Sequence, residues 1–170
     1  MDRKEFTKRC LADALIELLK EKEFNQISIN DITTKSGFSR MSYYRNFDSV
    51  DDILDYYLDF KTSEFLEAIN VTLEDVKLDE YMRRLFTFLG TKECREVSSL
   101  LMKRGLFNRI GKEFDKRFRV QIPRLKSYYY GFIAGGTFNA YKLWVIHDYK
   151  EDPEEIVKAI VDPNYWKQMM

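Results

Sequence analysis

Apolar residues recur every three or four positions along most of this chain, which is the spacing of one face of an α-helix. Between residues 3 and 21, Phe6, Cys10, Ala14 and Leu18 mark such a face. No strand-like alternation competes with this pattern. The sequence therefore predicts an all-α protein, with two short helices between residues 28 and 47 and longer helices at 3–21, 50–69, 78–90, 92–104, 105–120, 123–148 and 153–162.

Residues 33–47, TTKSGFSRMSYYRNF, predict two short helices joined by a tight turn. Gly37 lies where the first helix ends, because glycine adopts the left-handed conformation of a helix C-terminus at little cost. Ser39 is a suitable N-cap for the second helix, in which Tyr43 and Phe47 point to one face. This arrangement is typical of a helix-turn-helix.

Two further serine caps bound the same segment. Ser28 is followed by Asp31 at the start of the first short helix, and Ser49 is followed by Asp52 at the start of the helix after the motif. A serine followed three residues later by an acidic residue can satisfy the free N–H groups of a helix N-terminus. The starts of these helices are therefore marked locally.

The face of the second short helix opposite Tyr43 carries polar and aromatic side chains that suit DNA. Arginine can bridge two acceptors of a guanine edge, asparagine can pair with adenine, and hydroxyls can reach phosphate oxygens. We expect Arg40 to contact a base edge and Lys35 to add positive charge. The predicted DNA-binding residues are Ser28, Lys35, Ser39, Arg40, Met41, Ser42, Tyr44 and Asn46.

The segment GFSRMSYYRNFDSVDDIL resembles the segment that identifies the TetR family of transcription regulators, whose usual form is roughly G-V-S-R-G-T-L-Y-R-H-F-x-S-K-E-E-L. The resemblance is strong over about residues 6 to 58 and weaker beyond. The matching positions are Gly37, Ser39, Arg40, Tyr44, Arg45, Phe47, Ser49, Asp51 and Asp52.

The resemblance implies an N-terminal helix-turn-helix DNA-binding domain at residues 1–48 and a helical dimerisation and ligand-binding domain at 49–170. It further implies a homodimer that binds a palindromic operator on double-stranded DNA, most simply as a repressor that a ligand releases. Two departures from the pattern bear on this. Val50 replaces the lysine that commonly grips a phosphate, and Asn46 replaces the common histidine. A partner-binding adaptor of the same fold that no longer binds an operator is the alternative.

Residues 128–146, YYYGFIAGGTFNAYKLWVI, form the longest apolar stretch. Lys142 argues against a membrane span, since lysine near a bilayer centre costs roughly 2.5 to 3.5 kcal/mol on insertion scales. A buried core helix is one reading. The small residues also allow another helix to approach closely, and the resemblance implies pairing with a second copy here. The predicted interface residues are Gly131, Gly135, Gly136, Asn139 and Leu143.

Aromatic residues make up 15% of the chain and are frequent in its second half. Most must fill the core, but small-molecule pockets are also mainly apolar and aromatic with a few polar groups. We expect a small apolar or aromatic effector held by tyrosine hydroxyls in a pocket bounded by residues 54–69, 78–90 and 125–135. The predicted ligand-binding residues are Tyr57, Phe60, Tyr81, Phe86, Tyr128 and Phe132.

The remaining composition argues for a regulator rather than an enzyme. The chain has 28 basic and 28 acidic residues, so a locally basic surface rather than overall charge must attract DNA. One histidine, His147, and two distant cysteines, Cys10 and Cys94, offer no catalytic or metal-binding motif, and we expect neither catalysis nor a cofactor. Without an apolar leader or a disulfide pattern, a cytoplasmic protein is expected. A small helical enzyme using the aromatic pocket is a less favoured alternative.

Overall fold

The computed structural model describes residues 2–70, 76–118, 124–162, 164 and 165, and over these residues the protein is all-α, as the sequence predicts. A short 3₁₀ turn, Phe24–Gln26, separates the first two helices. The helices are α1 Arg3–Glu21, α2 Ile29–Ser36, α3 Arg40–Tyr44, α4 Val50–Ile69, α5 Leu78–Leu89, α6 Lys92–Lys103, α7 Asn108–Phe118, α8 Arg124–Ile146 and α9 Pro153–Val161.

The bounds differ from the predicted ones mainly around two glycines. Gly105 has a φ of +69° and lies in the turn between α6 and α7, so α7 begins at Asn108 rather than at residue 105. Gly111 lies inside α7, where the ring of Phe138 from α8 would be 2.9 Å from an added Cβ. One glycine therefore makes a turn, and the other permits close helix packing. Position 123, the predicted first residue of α8, is outside the described residues.

The first hydrophobic cluster is built around α1. Leu11, Leu15 and Leu19 are fully buried there, against Ile32 of α2 and Tyr43 of α3. Of the four residues that mark the predicted apolar face of α1, Ala14 and Leu18 are buried, whereas Phe6 is 49% exposed and Cys10 is only partly buried. The side of α1 that braces the two short helices is therefore centred on Leu11, Leu15 and Leu19. Burying a leucine side chain contributes about 1.5 to 3 kcal/mol, so this cluster stabilises the helix-turn-helix from behind.

The second cluster surrounds α5 and α8. Met82 and Phe86 of α5 pack with Tyr141 and Trp144 of α8, all of them buried. α9 packs against α5, and the indole N–H of Trp144 donates to the carbonyl of Glu151 at 2.9 Å just before α9 begins. Large aromatic residues therefore supply most of this core.

α4 belongs to both clusters and connects them. Its first half contributes Ile53 and Leu54 to the first cluster, and its second half contributes Phe65 and Ile69 to the second. The predicted domain boundary between residues 48 and 49 precedes this shared helix and stays a prediction. A displacement of α4 would act on both halves of the protein.

Charged side chains reinforce the link between the N-terminal helices and α6–α7. Arg104 donates to the carbonyls of Leu19 and Lys20 at 2.7 and 3.1 Å, at the C-terminus of α1, where a positive charge is favoured. Arg109 of α7 pairs with Asp55 of α4 at 2.9 Å. These contacts hold the turn between α6 and α7 against the C-terminus of α1 and the first half of α4.

Candidate functional site

The helix-turn-helix is set by the local hydrogen bonds that its sequence predicts. The Ser28 hydroxyl accepts from the Asp31 N–H at 3.1 Å, and the Asp31 carboxylate accepts from the Ser28 N–H at 2.9 Å. Gly37 ends α2 with a φ of +74°. Ser39 then caps α3, accepting from the Ser42 N–H at 3.2 Å. These cap and turn predictions are confirmed.

Two aromatic anchors orient α3. Tyr43 is completely buried and Phe47 is 7% exposed, with their ring centroids 6.5 Å apart. Because both lie against the first cluster, the opposite side of α3 must face solvent. Met41 and Tyr44 are accordingly 62% and 60% exposed, although the Tyr44 ring still contacts the ring of Tyr43 at a centroid distance of 5.2 Å.

Arg40 also lies on the solvent side of α3. Its guanidinium donates to the side-chain oxygen of Asn30 in α2 at 3.1 Å, so its position is fixed by a neighbouring helix. An arginine held in this way retains further N–H groups for a second acceptor. Asn30 is an exposed residue that the sequence reasoning missed, because nothing in the sequence indicates which α2 residue faces Arg40.

The other predicted DNA contacts differ in their availability. Lys35 is exposed and 3.9 Å from Glu21. Asn46 is partly buried and donates to the Ser42 carbonyl at 2.7 Å, so its amide N–H is already engaged within the helix end. The Ser28 and Ser39 hydroxyls are committed to helix caps. Arg40, Met41 and Tyr44 are therefore the most available of the predicted residues.

Additional positive charge lies beside the motif. Phe6 of α1 contacts Phe38 of the turn at a centroid distance of 6.5 Å, which brings the beginning of α1 with exposed Arg3 and Lys4 next to the turn. Arg45, after α3, is exposed as well. Val50, in place of the expected lysine, is partly buried and packs against the first cluster. Its side chain contributes packing rather than charge.

A partly open cavity of about 270 Å³ lies between α4 and α6, and residues of α5, α7 and α8 also line it. Tyr57 is the one residue of the predicted ligand-binding set among those that line it. Leu58, Phe65 and Val97 form apolar walls, and Ser98 and Tyr141 share a hydrogen bond at the inner end. The cavity is thus bounded by α6 and not by residues 125–135.

The other five predicted ligand-binding residues lie elsewhere. Tyr81 and Phe86 are buried in the second cluster, and Phe60 packs under the guanidinium of Arg9, 3.9 Å from the ring centre. Tyr128 and Phe132 are 72% and 77% exposed, since this face of α8 points to solvent. The six residues therefore do not converge on one cavity. The prediction placed Tyr128 and Phe132 inside because helical periodicity alone does not show which face of α8 points to the core.

Charged groups surround one side of the cavity. Lys61 lies 2.9 Å from Glu64 and 2.5 Å from Glu93. Desolvation acts to lower the pKa of Lys61, but hydrogen bonds to Glu93 and Glu64 raise it above its ordinary value, so the ammonium stays charged. Burial raises the pKa of Tyr57 to about 12, so its hydroxyl keeps its proton. Burial likewise raises the pKa of the Cys94 thiol, which disfavours the reactive thiolate.

The outward face of α8 carries several exposed large apolar side chains. Besides Tyr128 and Phe132, it exposes Leu143 and Ile146 by 54% and 57%. The predicted interface residues Gly131, Gly135, Gly136 and Asn139 are exposed too, and Cβ atoms added at the three glycines would meet nothing within 4 Å. The glycines are therefore not used for packing inside the described subunit.

The described residues lack two further kinds of functional feature. They contain no group of three or more His, Cys, Asp or Glu side chains arranged to hold a metal ion. None of their helices combines the length and the hydropathy needed to cross a bilayer.

Comparison with known proteins shows a distant structural likeness. No protein-family model matches the sequence, and no curated protein gives a significant match. The solved structure of a gamma-butyrolactone receptor (ArpA-like protein) is similar over 81% of this chain and 98% of that one, with a TM-score of 0.42 and 14% identity. A likeness at this level carries no function across, so function has to be inferred from the site itself.

Proposed function

We propose that this protein is a sequence-specific DNA-binding regulator that acts as a homodimer and is released from its operator by a small ligand. The observation that carries the proposal is α3, which buries Tyr43 and exposes Arg40, Met41 and Tyr44. A short helix anchored by a turn and projecting such side chains is suited to the major groove. Arg40 reads a base edge, and Tyr44 reaches the backbone.

The electrostatics support local rather than general attraction to DNA. The net charge is zero, yet the exposed basic residues Arg3, Lys4, Lys35, Arg40 and Arg45 all belong to the helix-turn-helix or to the beginning of α1, which contacts its turn. Affinity for DNA depends on the number of phosphates that are neutralised and on base contacts that add specificity. This distribution favours binding at selected sites over coating of any duplex.

The outward face of α8 supports dimerisation through a second copy of the chain. Exposed apolar side chains alternate there with glycines that leave the backbone accessible, as at closely packed helix pairs. A two-fold dimer would present two copies of α3, and a palindromic site mirrors that symmetry. Dimerisation and operator binding are thereby coupled.

Release by a ligand follows from the position of α4. This helix lines the cavity through Tyr57, Lys61 and Phe65, and its beginning packs against the motif through Val50 and Ile53. A ligand that binds more tightly to one position of α4 shifts the population toward it. The spacing of the two recognition helices then no longer fits the operator.

Selection from random double-stranded DNA tests the proposal. Enrichment of a palindrome, bound by a dimer in light scattering at micromolar concentration, is the expected result. Failure to enrich any sequence would contradict operator binding. It would favour the second candidate, an adaptor of the same fold that binds a partner instead of an operator. The observation in favour of this candidate is Val50, which stands where the family pattern has a phosphate-binding lysine.

A further inference from the structure

The cavity between α4 and α6 adjoins a second pocket of different chemistry. The second pocket has a volume of about 280 Å³ and lies between α1 and α6. Tyr57, Glu93 and Val97 line both, so the two spaces share a wall. One ligand can occupy both spaces where the side chains between them, Tyr57, Glu93 and Val97, move aside.

The first space is suited to an apolar body. Its walls include Leu58, Phe65, Phe88, Leu89, Val97 and Ile110. Burying apolar surface in such a slot contributes roughly 25 cal/mol for each Å² removed from water. Ligand pockets usually span about 300 to 1,000 Å³, so a cavity slightly below this range takes a compact molecule of about one aromatic ring and a short chain.

The second space is acidic. Four carboxylates line it, those of Asp13, Glu17, Glu93 and Glu96, against a single ammonium, that of Lys20. Lys20 is 2.6 Å from Glu17, Lys92 is 3.8 Å from Glu96, and Lys61 holds Glu93.

Asp13 differs from these three carboxylates, because it makes no hydrogen bond or ion pair with the described residues. Desolvation raises its pKa, while the charges of Lys61 and Arg9 act in the opposite direction. Counting Lys61 and Lys92, which pair with two of these carboxylates, the four carboxylates face three ammonium groups and leave one negative charge in excess, which favours a cation.

An independent observation at the shared wall points to a ligand. Tyr57 is only 5% exposed, and its hydroxyl makes no hydrogen bond within the described part of the chain. The hydroxyl oxygen is not itself cut off from the pocket space, where water or a bound ligand can hydrogen-bond to it. A ligand with a polar group at the junction of the two spaces would supply that partner.

We propose that the joined pockets bind a small lipophilic organic cation, with an apolar or aromatic body between α4 and α6 and an ammonium group among Asp13, Glu93 and Glu96. The Tyr57 hydroxyl hydrogen-bonds to a polar atom of the ligand at the junction. Its role as the effector rests on the proposed function, but the binding site itself does not. The negative lining disfavours an anionic molecule with the same apolar body.

Three probes with one body test the charge preference. They are para-butylbenzylamine, which is a cation at neutral pH, para-butylbenzyl alcohol, which is neutral, and para-butylbenzoate, which is an anion. Isothermal titration calorimetry of the full chain without DNA should give the amine a dissociation constant about fivefold lower than that of the alcohol, with the benzoate weakest. Higher salt should weaken the amine more than the alcohol.

Variants locate the site. The double variant Asp13→Asn with Glu96→Gln should bring the amine to within about twofold of the alcohol, because the charge attraction is removed while the apolar slot remains. Tyr57→Phe should weaken both probes. Glu155→Gln, an exposed carboxylate on α9, removes one charge elsewhere and serves as the control. Circular dichroism confirms that each variant is folded.

Equal or tighter binding of the benzoate would overturn the proposal, as would the absence of binding by all three probes at millimolar concentration. An unchanged amine preference in the double variant would also overturn it. Since calorimetry needs no operator, the amine can bind even if no DNA sequence is ever selected. Failure of this site is therefore distinguishable from failure of the regulator proposal.

Discussion

α3 and the outward face of α8 both expose large apolar side chains, but their surroundings differ. Met41 and Tyr44 of α3 are accompanied by Arg40 and Arg45. Phe132 of α8 and its exposed neighbours are accompanied by three glycines over which none of the described residues packs. The first surface suits a charged, hydrogen-bonding partner, and the second suits another apolar helix.

The difference teaches that exposure alone does not identify a partner. Exposed apolar area marks an interaction surface, and the polar groups within it decide which partner it fits. Arginine beside tyrosine matches phosphates and base edges, whereas glycine beside phenylalanine permits close backbone approach. The following experiments test whether these two surfaces have the separate roles assigned to them.

The largest effect is expected from Gly135→Leu on the α8 surface. The added side chain has open space in the single subunit, so the fold should be retained, but it would hold two α8 helices apart. The dimer dissociation constant should rise at least about 100-fold, equivalent to roughly 2.7 kcal/mol. Sedimentation equilibrium measures it, with Thr87→Leu on the exposed side of α5 as control. An unchanged dimer would remove α8 from the interface.

Two alanine substitutions compare an inward glycine with an outward one. Gly111→Ala should cost about 1 to 3 kcal/mol of unfolding free energy, because its Cβ would meet the Phe138 ring at 2.9 Å. Gly136→Ala should instead stabilise the monomer by up to about 1 kcal/mol through helix propensity. Urea unfolding in the Gly135→Leu background avoids a contribution from dimerisation. If both substitutions lowered the free energy of unfolding, the α8 glycines would have neighbours that an added methyl group meets.

A smaller effect separates folding from DNA contact in α3. Ser39→Ala removes the cap that accepts from the Ser42 N–H and should cost about 1 kcal/mol of stability. Ser39→Asp keeps a capping oxygen and should preserve stability, but its negative charge should weaken operator binding. Urea unfolding and fluorescence anisotropy are measured on the same samples. If Ser39→Asp bound DNA like the wild type, the N-terminus of α3 would not face phosphates.

The smallest effect concerns acid stability of the motif. A hydrogen bond from Lys22, followed by hydrogen bonds from the Ser28 backbone and hydroxyl, holds the pKa of Asp31 well below its usual range. Its contribution is therefore complete above the unfolded-state pKa of about 3.9 and is lost as pH falls below that value. Asp31→Asn should lower the melting temperature at neutral pH but make it less sensitive to acid. Parallel acid dependence of variant and wild type would contradict this.

The helix-turn-helix could be predicted from the sequence because its determinants are local. Ser28 with Asp31, Gly37, and Ser39 with Ser42 act within three residues of each other. A reader of the sequence can see each pair directly. The engagement of Asn46 by the Ser42 carbonyl was not visible, since it depends on how α3 ends.

The cavity could not be predicted in the same way. Tyr57, Ser98 and Tyr141 meet there from three helices, and no local signal indicates which faces of those helices meet. The aromatic composition correctly suggested large apolar walls but placed Tyr128 and Phe132 inside, whereas both are exposed. The rotation of α8 about its own axis is fixed by contacts between residues far apart in the sequence, such as the Phe138 ring against Gly111. The sequence does not show which helices make such contacts.

The most direct test of the central claim is the affinity of Arg40→Ala for the selected operator at the same salt concentration as the wild type. Arg40 is exposed, and its side chain hydrogen-bonds to Asn30, which is exposed too, so its loss should leave the fold intact. We expect binding to the operator to weaken by roughly 1 to 3 kcal/mol, with a much smaller change on unrelated DNA. Equal affinity of the variant and the wild type for the operator would contradict the assignment of α3 as the DNA-reading helix.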